Sequence, residues 1–244
     1  MRAESVVHSL PVGLRGREFR SHRAKMRDLL DEMNALRVAM KKVEAELAAT
    51  RYKEAVSRHL ATHDMLTGLP NRRFFQGCLE QILHPGPLPP PKLALLYIDL
   101  NEFKAVNDSL GHVMGDRLLK IAANRLKHSI RKDDMLFRLG GDEFGCLLNG
   151  MDDRREVTRV ASKAFKVLGA PLRLGNARRT ISASIGIALS PADATTPSLL
   201  VQHADAAMYF AKKHRTPFTF YREAVNAADR SGIRRASTTL VACT

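Results

Sequence analysis

A mixed α/β domain led by one long helix is the fold class that this sequence predicts. Three observations carry the prediction. From Arg15 to Leu60 there is no Pro and no Gly after Gly16, and apolar residues recur in steps of three and four. Beyond Pro70, short apolar runs of strand length alternate with longer amphipathic stretches. Gly and Pro fall between these stretches rather than inside them, as they do between elements of a folded domain.

In the first helix Met26, Leu29, Met33, Leu36, Met40, Val43 and Leu47 form the seam of a coiled coil. Thr50 and Glu54 would fill the next seam positions, so the rhythm lapses before it returns loosely at Tyr52, Val56 and Leu60. The stripe fits a dimer helix, parallel or antiparallel; it also fits one amphipathic helix packed on its own domain. Gly68 and Pro70 then end the run, and a helix is expected from about Asn71 to Leu83. The proline-rich stretch His84 to Pro91 can only be a loop.

Leu93 to Leu100 is an apolar run ending in an acid, the pattern of a buried strand. A helix is expected from about Gly115 to Ile130. Met135–Leu139 and Asp142–Leu148 read as a β-hairpin turning at Gly140-Gly141, since two glycines permit the positive φ of a tight turn. A helix near Arg154–Leu168, strands near Leu172–Leu174 and Thr180–Leu189, a helix near Ser198–Lys213 and a strand near Phe218–Tyr221 complete the order.

Composition narrows the function. Hydrophobic residues are 45% and charged residues 26% of the 244, the balance of a globular protein rather than a disordered one. No apolar stretch is long enough for a membrane span, and Met1–Leu14 lacks the layout of a signal peptide. Cys78, Cys146 and Cys243 are odd in number and without metal-ligand spacing, which fits a reduced, cytoplasmic setting. The net charge of +14 is spread along the chain with no interleaved aromatics, so a phosphate-rich small molecule is a better partner than a nucleic acid.

Three acids are placed for chemistry. Asp99 ends the first buried strand, and Asp142 and Glu143 follow the glycine turn. If the hairpin pairs beside that strand, the three carboxylates converge and repel one another unless a cation lies between them. Oxygen ligands without a Cys or His cluster favour Mg²⁺ or Mn²⁺, and two such ions suit in-line displacement at phosphorus. Taken alone, Asp142 and Glu143 are equally well explained as ordinary turn acids.

The surrounding strings change that balance. Arg138-Leu139-Gly140-Gly141-Asp142-Glu143-Phe144 resembles the signature of the GGDEF diguanylate cyclase family. Asp64-x-Leu66-Thr67-Gly68-Leu69-x-Asn71-Arg72-Arg73 resembles its first motif, and Asp99-Leu100-Asn101-Glu102-Phe103-Lys104 through Asn107-Asp108 its strand-end motif. Gly111-His112-x-x-Gly115-Asp116 and Ala204-Asp205-x-Ala207-Met208-Tyr209-x-Ala211-Lys212 follow in the family's order.

This resemblance implies a palm-like domain related to nucleotidyl cyclases, with a central five-stranded, mostly antiparallel sheet. It divides the chain into an N-terminal segment (1–14), a coiled-coil helix (15–61), the GGDEF domain (62–222) and a tail (223–244). The implied reaction joins two GTP into cyclic di-GMP and pyrophosphate across a homodimer. Asp99, the Leu100 carbonyl, Asp142 and Glu143 would hold two Mg²⁺ or Mn²⁺ ions, with Asp142 and Glu143 catalytic. Asn107 and Asp116 would bind guanine; Lys104, His112, Gly140, Gly141 and Lys212 would contact the rest of the substrate. Arg131 and Asp134 match an inhibitory RxxD site for the product. Two departures stand out: Asn101 where many members carry an acid, and Arg215-Thr216 where members place Gly-Arg. The second leaves room for a catalytically weak receptor of GTP or cyclic di-GMP.

Overall fold

The computed structural model describes residues 12–84, 89, 91–175 and 177–227, with side chains described from Arg20 onward except at Ala177. Most of the expected loop at 84–91, residues 1–11 of the expected N-terminal segment and the end of the tail lie outside the described residues, while 12–14 belong to the first helix. The described chain falls into two compact units that divide between Arg58 and His59.

Helix α1 (Val12–Thr62) makes up the first unit and lends its last turn to the second. Its seam residues are open to solvent in the single chain: Met26, Leu29, Leu36, Met40 and Val43 are all more than half exposed.

The second unit is built around a five-stranded sheet. Its strands are β1 (Leu93–Leu100), β2 (Met135–Gly140), β3 (Glu143–Asn149), β6 (Ala183–Ser190) and β7 (Phe218–Phe220), in the order β2-β3-β1-β6-β7. Only β6 and β7 run parallel. β1 is central and every one of its residues is buried, which explains why it reads as a continuous apolar run rather than an alternation.

Period-two geometry splits β1 between two cores. Ala94, Leu96, Ile98 and Leu100 pack with α4 (His112–Lys127) and α5 (Arg154–Leu168). Leu93, Leu95 and Tyr97 pack with α2 (Arg72–Ile82) and α6 (Pro197–His214). Helices therefore cover both faces. α6 lies very close to β6: a Cβ placed on Gly186 would come within 2.0 Å of the Ala204 carbonyl oxygen and 2.2 Å of the Met208 nitrogen. Gly186 and Gly145 flank Tyr97 on the neighbouring strands. This row leaves space for one ring and for the helix backbone above it.

Several expectations need correction. α4 runs from His112 to Lys127, three residues earlier at each end than expected, because Gly111 at φ 80° separates it from another helix. That helix, α3 (Phe103–Leu110), was not foreseen: it is barely two turns long and buries no residue fully, so its periodic signal is weak. The strand expected over Thr180–Leu189 is β6, which starts three residues later at Ala183, and a short strand that was not expected precedes it. β5 (Ala177–Arg179) pairs with β4 (Leu172–Leu174) in a separate small sheet, and only β6 joins the large one. β7 stops at Phe220 because a helical turn over 221–227 begins there.

Candidate active site

The strand register brings β1 and the glycine turn together. Asp99 lies directly opposite Glu143, and the Leu100 N–H donates to the Asp142 carbonyl at 3.3 Å. Opposed residues of an antiparallel pair share a face, yet these two acids take different partners. Asp99, only 8% exposed, accepts from the Lys212 ammonium of α6 at 2.7 Å. Glu143 accepts from Arg72 of α2 at 3.0 Å and from the Tyr97 hydroxyl at 3.1 Å. Burial, reinforced by Glu143, pushes the Tyr97 phenol up to about 12, so it stays a neutral donor.

The convergence of three acids is thus incomplete. Asp142 shares the field of Asp99: burial raises its carboxyl above the usual range and Asp99 adds to the rise, against pulls from Lys212 and Arg138. Glu143 is drawn off toward Arg72. Among the described residues no group of three His, Cys, Asp or Glu side chains is placed to hold a metal ion. The residues nevertheless fit a hard divalent cation of the Mg²⁺ type, which uses one or two carboxylates and takes its remaining oxygens from water and phosphate. The carboxylates of Asp99 and Asp142, which repel one another, and the Leu100 carbonyl are oxygen donors of that kind.

The first motif clamps the hairpin. Arg138 donates to both Asp64 oxygens at 2.9 Å and to the Gly141 carbonyl at 2.8 and 3.1 Å. Arg72 donates to the Leu139 carbonyl at 2.8 Å as well as to Glu143. Burial alone would raise Asp64; hydrogen bonds from Thr67 and Arg138 outweigh it and hold the carboxyl below its ordinary value. Two guanidiniums therefore fix the turn in which Gly140 (φ 148°) and Gly141 (φ 48°) face open space. Asp64, Arg72, Tyr97 and Arg138 had no assigned role in the sequence; for all but Tyr97, the signal was membership in the motif strings.

The remaining expected residues form two groups. Asn107 packs so tightly on α4 that a Cβ on Gly115 would fall 1.9 Å from its Oδ1. That oxygen is buried and has no hydrogen-bond partner among the described residues. Asp116 and His112, one turn apart on α4, are exposed beside it, and Lys104 is exposed on the first turn of α3. Arg131 and Asp134 lie at the far end of β2, away from the glycine turn. The Arg131 N–H donates to Asp134 at 2.9 Å, and its guanidinium is 4.0 Å from Glu156. Burial raises the Asp134 carboxyl despite those bonds.

A cavity of about 500 Å³ is lined by Asn101, Glu102, Ser182, Arg215 and Thr216 among others, and by Lys212, the partner of Asp99. Glu102 (φ 61°) and Arg215 (φ 56°) are the non-glycine residues with left-handed backbone among those described, and both line it. Such strain collects where a ligand is handled. Arg215 ends α6 in the conformation that glycine adopts without cost, so its side chain comes at an energetic penalty.

Fold and site define a mixed α/β domain of the GGDEF type. The family described as "Diguanylate cyclase, GGDEF domain" matches residues 61–217, and the chain belongs to that family. It is 40% identical over 192 residues to diguanylate cyclase TpbB of Pseudomonas aeruginosa strain UCBPP-PA14, covering 78% of this chain and 43% of that protein. It is 42% identical over 169 residues to the bifunctional diguanylate cyclase/cyclic di-GMP phosphodiesterase MucR of P. aeruginosa, covering 69% and 24%. The chain thus spans less than half the length of either relative. A solved structure of the GGDEF domain alone of P. aeruginosa TpbB superposes with TM-score 0.59 at 42% identity, over 62% of this chain and 89% of that one. The coiled coil and GGDEF domain of DgcB from Caulobacter crescentus, in complex with c-di-GMP, gives TM-score 0.68 over 76% and 98%. At 24% identity that is a likeness of fold. No helix among the described residues is long and apolar enough to cross a membrane.

Proposed function

We propose that residues 62–222 form a diguanylate cyclase domain that condenses two GTP into cyclic di-GMP and two pyrophosphates. The observation that carries this reading is the meeting of Asp99, at the end of β1, with the turn at Asp142, whose carbonyl accepts from the Leu100 N–H, near a cavity edged by Lys212 and Arg215. Asp99, Asp142 and the Leu100 carbonyl would hold Mg²⁺ or Mn²⁺, two ions per site with Glu143 beside them, supplying activation of a hydroxyl and charge for the leaving pyrophosphate. Each ribose 3′-oxygen forms a bond to the other nucleotide's α-phosphorus as the bond to pyrophosphate breaks. Lys212, Lys104 and Arg215 supply positive charge to the triphosphate, His112 lies near the substrate, and the bare turn at Gly140-Gly141 admits the phosphates.

The orphaned Asn107 Oδ1 is an acceptor in want of a donor. Guanine offers N1–H and N2–H at its edge, and adenine offers neither, so Asn107 with Asp116 selects GTP. Arg131 and Asp134 are the product-inhibition site, where a guanidinium and a carboxylate suit the phosphate and guanine of cyclic di-GMP. GTP as substrate places the domain in the cytoplasm.

One site holds one GTP, so two chains must meet, and α1 is the dimer helix. With Met26, Met33, Met40 and Leu47 as a positions, Glu32 and Glu46 fall at g and Arg37 and Arg51 at e. In a parallel pair in register, Glu32 of one helix lies across from Arg37 of the other, and Glu46 across from Arg51. This charge pattern supports the parallel arrangement.

Purified protein incubated with GTP and Mg²⁺ should yield cyclic di-GMP by chromatography, slowed by added product, with the yield lost in Asp142→Asn. The Arg215-Thr216 departure favours a second reading, a weak or inactive receptor. Nucleotide binding without product would select it; neither binding nor product would leave only a coiled-coil scaffold.

A further inference from the structure

Lys212 has two places to be. Its ammonium sits 2.7 Å from an Asp99 oxygen, and its side chain, 47% exposed, also lines the cavity shared with Arg215 and Glu102. Asp99 itself is nearly closed off, with a side chain 11% exposed. A carboxylate so placed needs a cation close by, and the neighbouring carboxylate of Asp142 sharpens the need. The lysine answers it. An ammonium held at one Asp99 oxygen opposes a divalent ion at either oxygen of that carboxylate, because two cations so close together repel.

We propose that Lys212 is the resting counter-ion of Asp99 and exchanges places with the metal. A divalent cation arriving at Asp99 and Asp142 releases the lysine into the cavity, where the triphosphate of the nucleotide receives it. Metal and nucleotide then assist each other's binding, since each favours the released position of one side chain. α6 allows this without moving: Lys212 is in its last turns, on a long flexible stem, while Ala204 and Met208 hold the helix against β6. The exchange rests on the metal reading given above and adds to it a competitor built into the protein.

The test is titration of Mn²⁺ alone into the full chain, with free Mn²⁺ read by electron paramagnetic resonance. Lys212→Met should bind Mn²⁺ between about twofold and fivefold more tightly than the natural protein, since an ion pair of this exposure competes at about that level. Lys212→Arg, which keeps the charge, should resemble the natural protein, and Asp99→Asn should remove the gain. A non-hydrolysable GTP analogue should tighten Mn²⁺ binding more in the natural protein than in Lys212→Met. Equal or weaker Mn²⁺ binding by Lys212→Met would overturn the exchange. If Asp99→Asn still abolishes binding in that case, the metal site stands and the exchange alone falls. If no protein holds Mn²⁺ even with nucleotide, both fail together.

Discussion

The pair Asp64–Arg138 shows how a residue outside the acidic cluster controls it. One guanidinium nitrogen of Arg138 reaches both Asp64 oxygens in a contact largely shielded from water, and the same guanidinium grips the Gly141 carbonyl. Losing one partner leaves the other poorly paired, so Asp64→Asn should lower stability by about 2 kcal/mol at neutral pH. The pH dependence follows from the lowered Asp64 value. A carboxyl depressed by folding contributes stability that is present above its unfolded value of 3.8 and lost as pH falls through the folded one. Urea unfolding should therefore separate the two proteins clearly at neutral pH and much less once the pH has fallen below the depressed folded value. An undiminished gap in acid would show that the pair holds the turn by shape and not by charge. None of this was readable in the sequence, where Asp64 and Arg138 are seventy-odd positions apart and nothing local pairs them.

Among the elements, β1 was the most legible and α3 the least. Leu93–Leu100 is apolar throughout because both its faces are covered, and a short unbroken apolar run needs no context to be recognised. α3 draws its form from Gly111 and its packing on α4, which are tertiary facts. α6 is positioned by Gly186, where an added methyl would meet helix backbone rather than a side chain that can turn away. Gly186→Ala should cost more than about 3 kcal/mol, and thermal denaturation should show it. A small change would mean that α6 can lift off the sheet freely. For α1, reversing charge in Glu32→Lys with Glu46→Lys should weaken self-association at least about tenfold by sedimentation. Adding Arg37→Glu and Arg51→Glu should restore it. Unchanged association in the first variant would exclude the parallel register.

At the scale of the whole molecule, the sequence showed the alternation of strands and helices, the glycine turn and the acids on either side of it. It did not show that Glu143 turns to Arg72 and Tyr97 while Asp99 takes Lys212, because side-chain partners from α2 and α6 are fixed only when those helices settle on the sheet. Nor did it show that the Arg215 departure would line a cavity with a second strained residue. The acids were legible by type and position; their allegiances were not.

The row Gly145–Tyr97–Gly186 has a bearing beyond stability. Where α6 crosses Gly186 it rests on main chain, and main chain cannot be exchanged by mutation as side chains can. Elsewhere in the interior, a Leu traded for a Met shifts its neighbours by fractions of an ångström. At this crossing there is nothing to trade. The clearance between helix and sheet is therefore insulated from drift in the rest of the core, and so is the reach of the ammonium that the helix carries to Asp99.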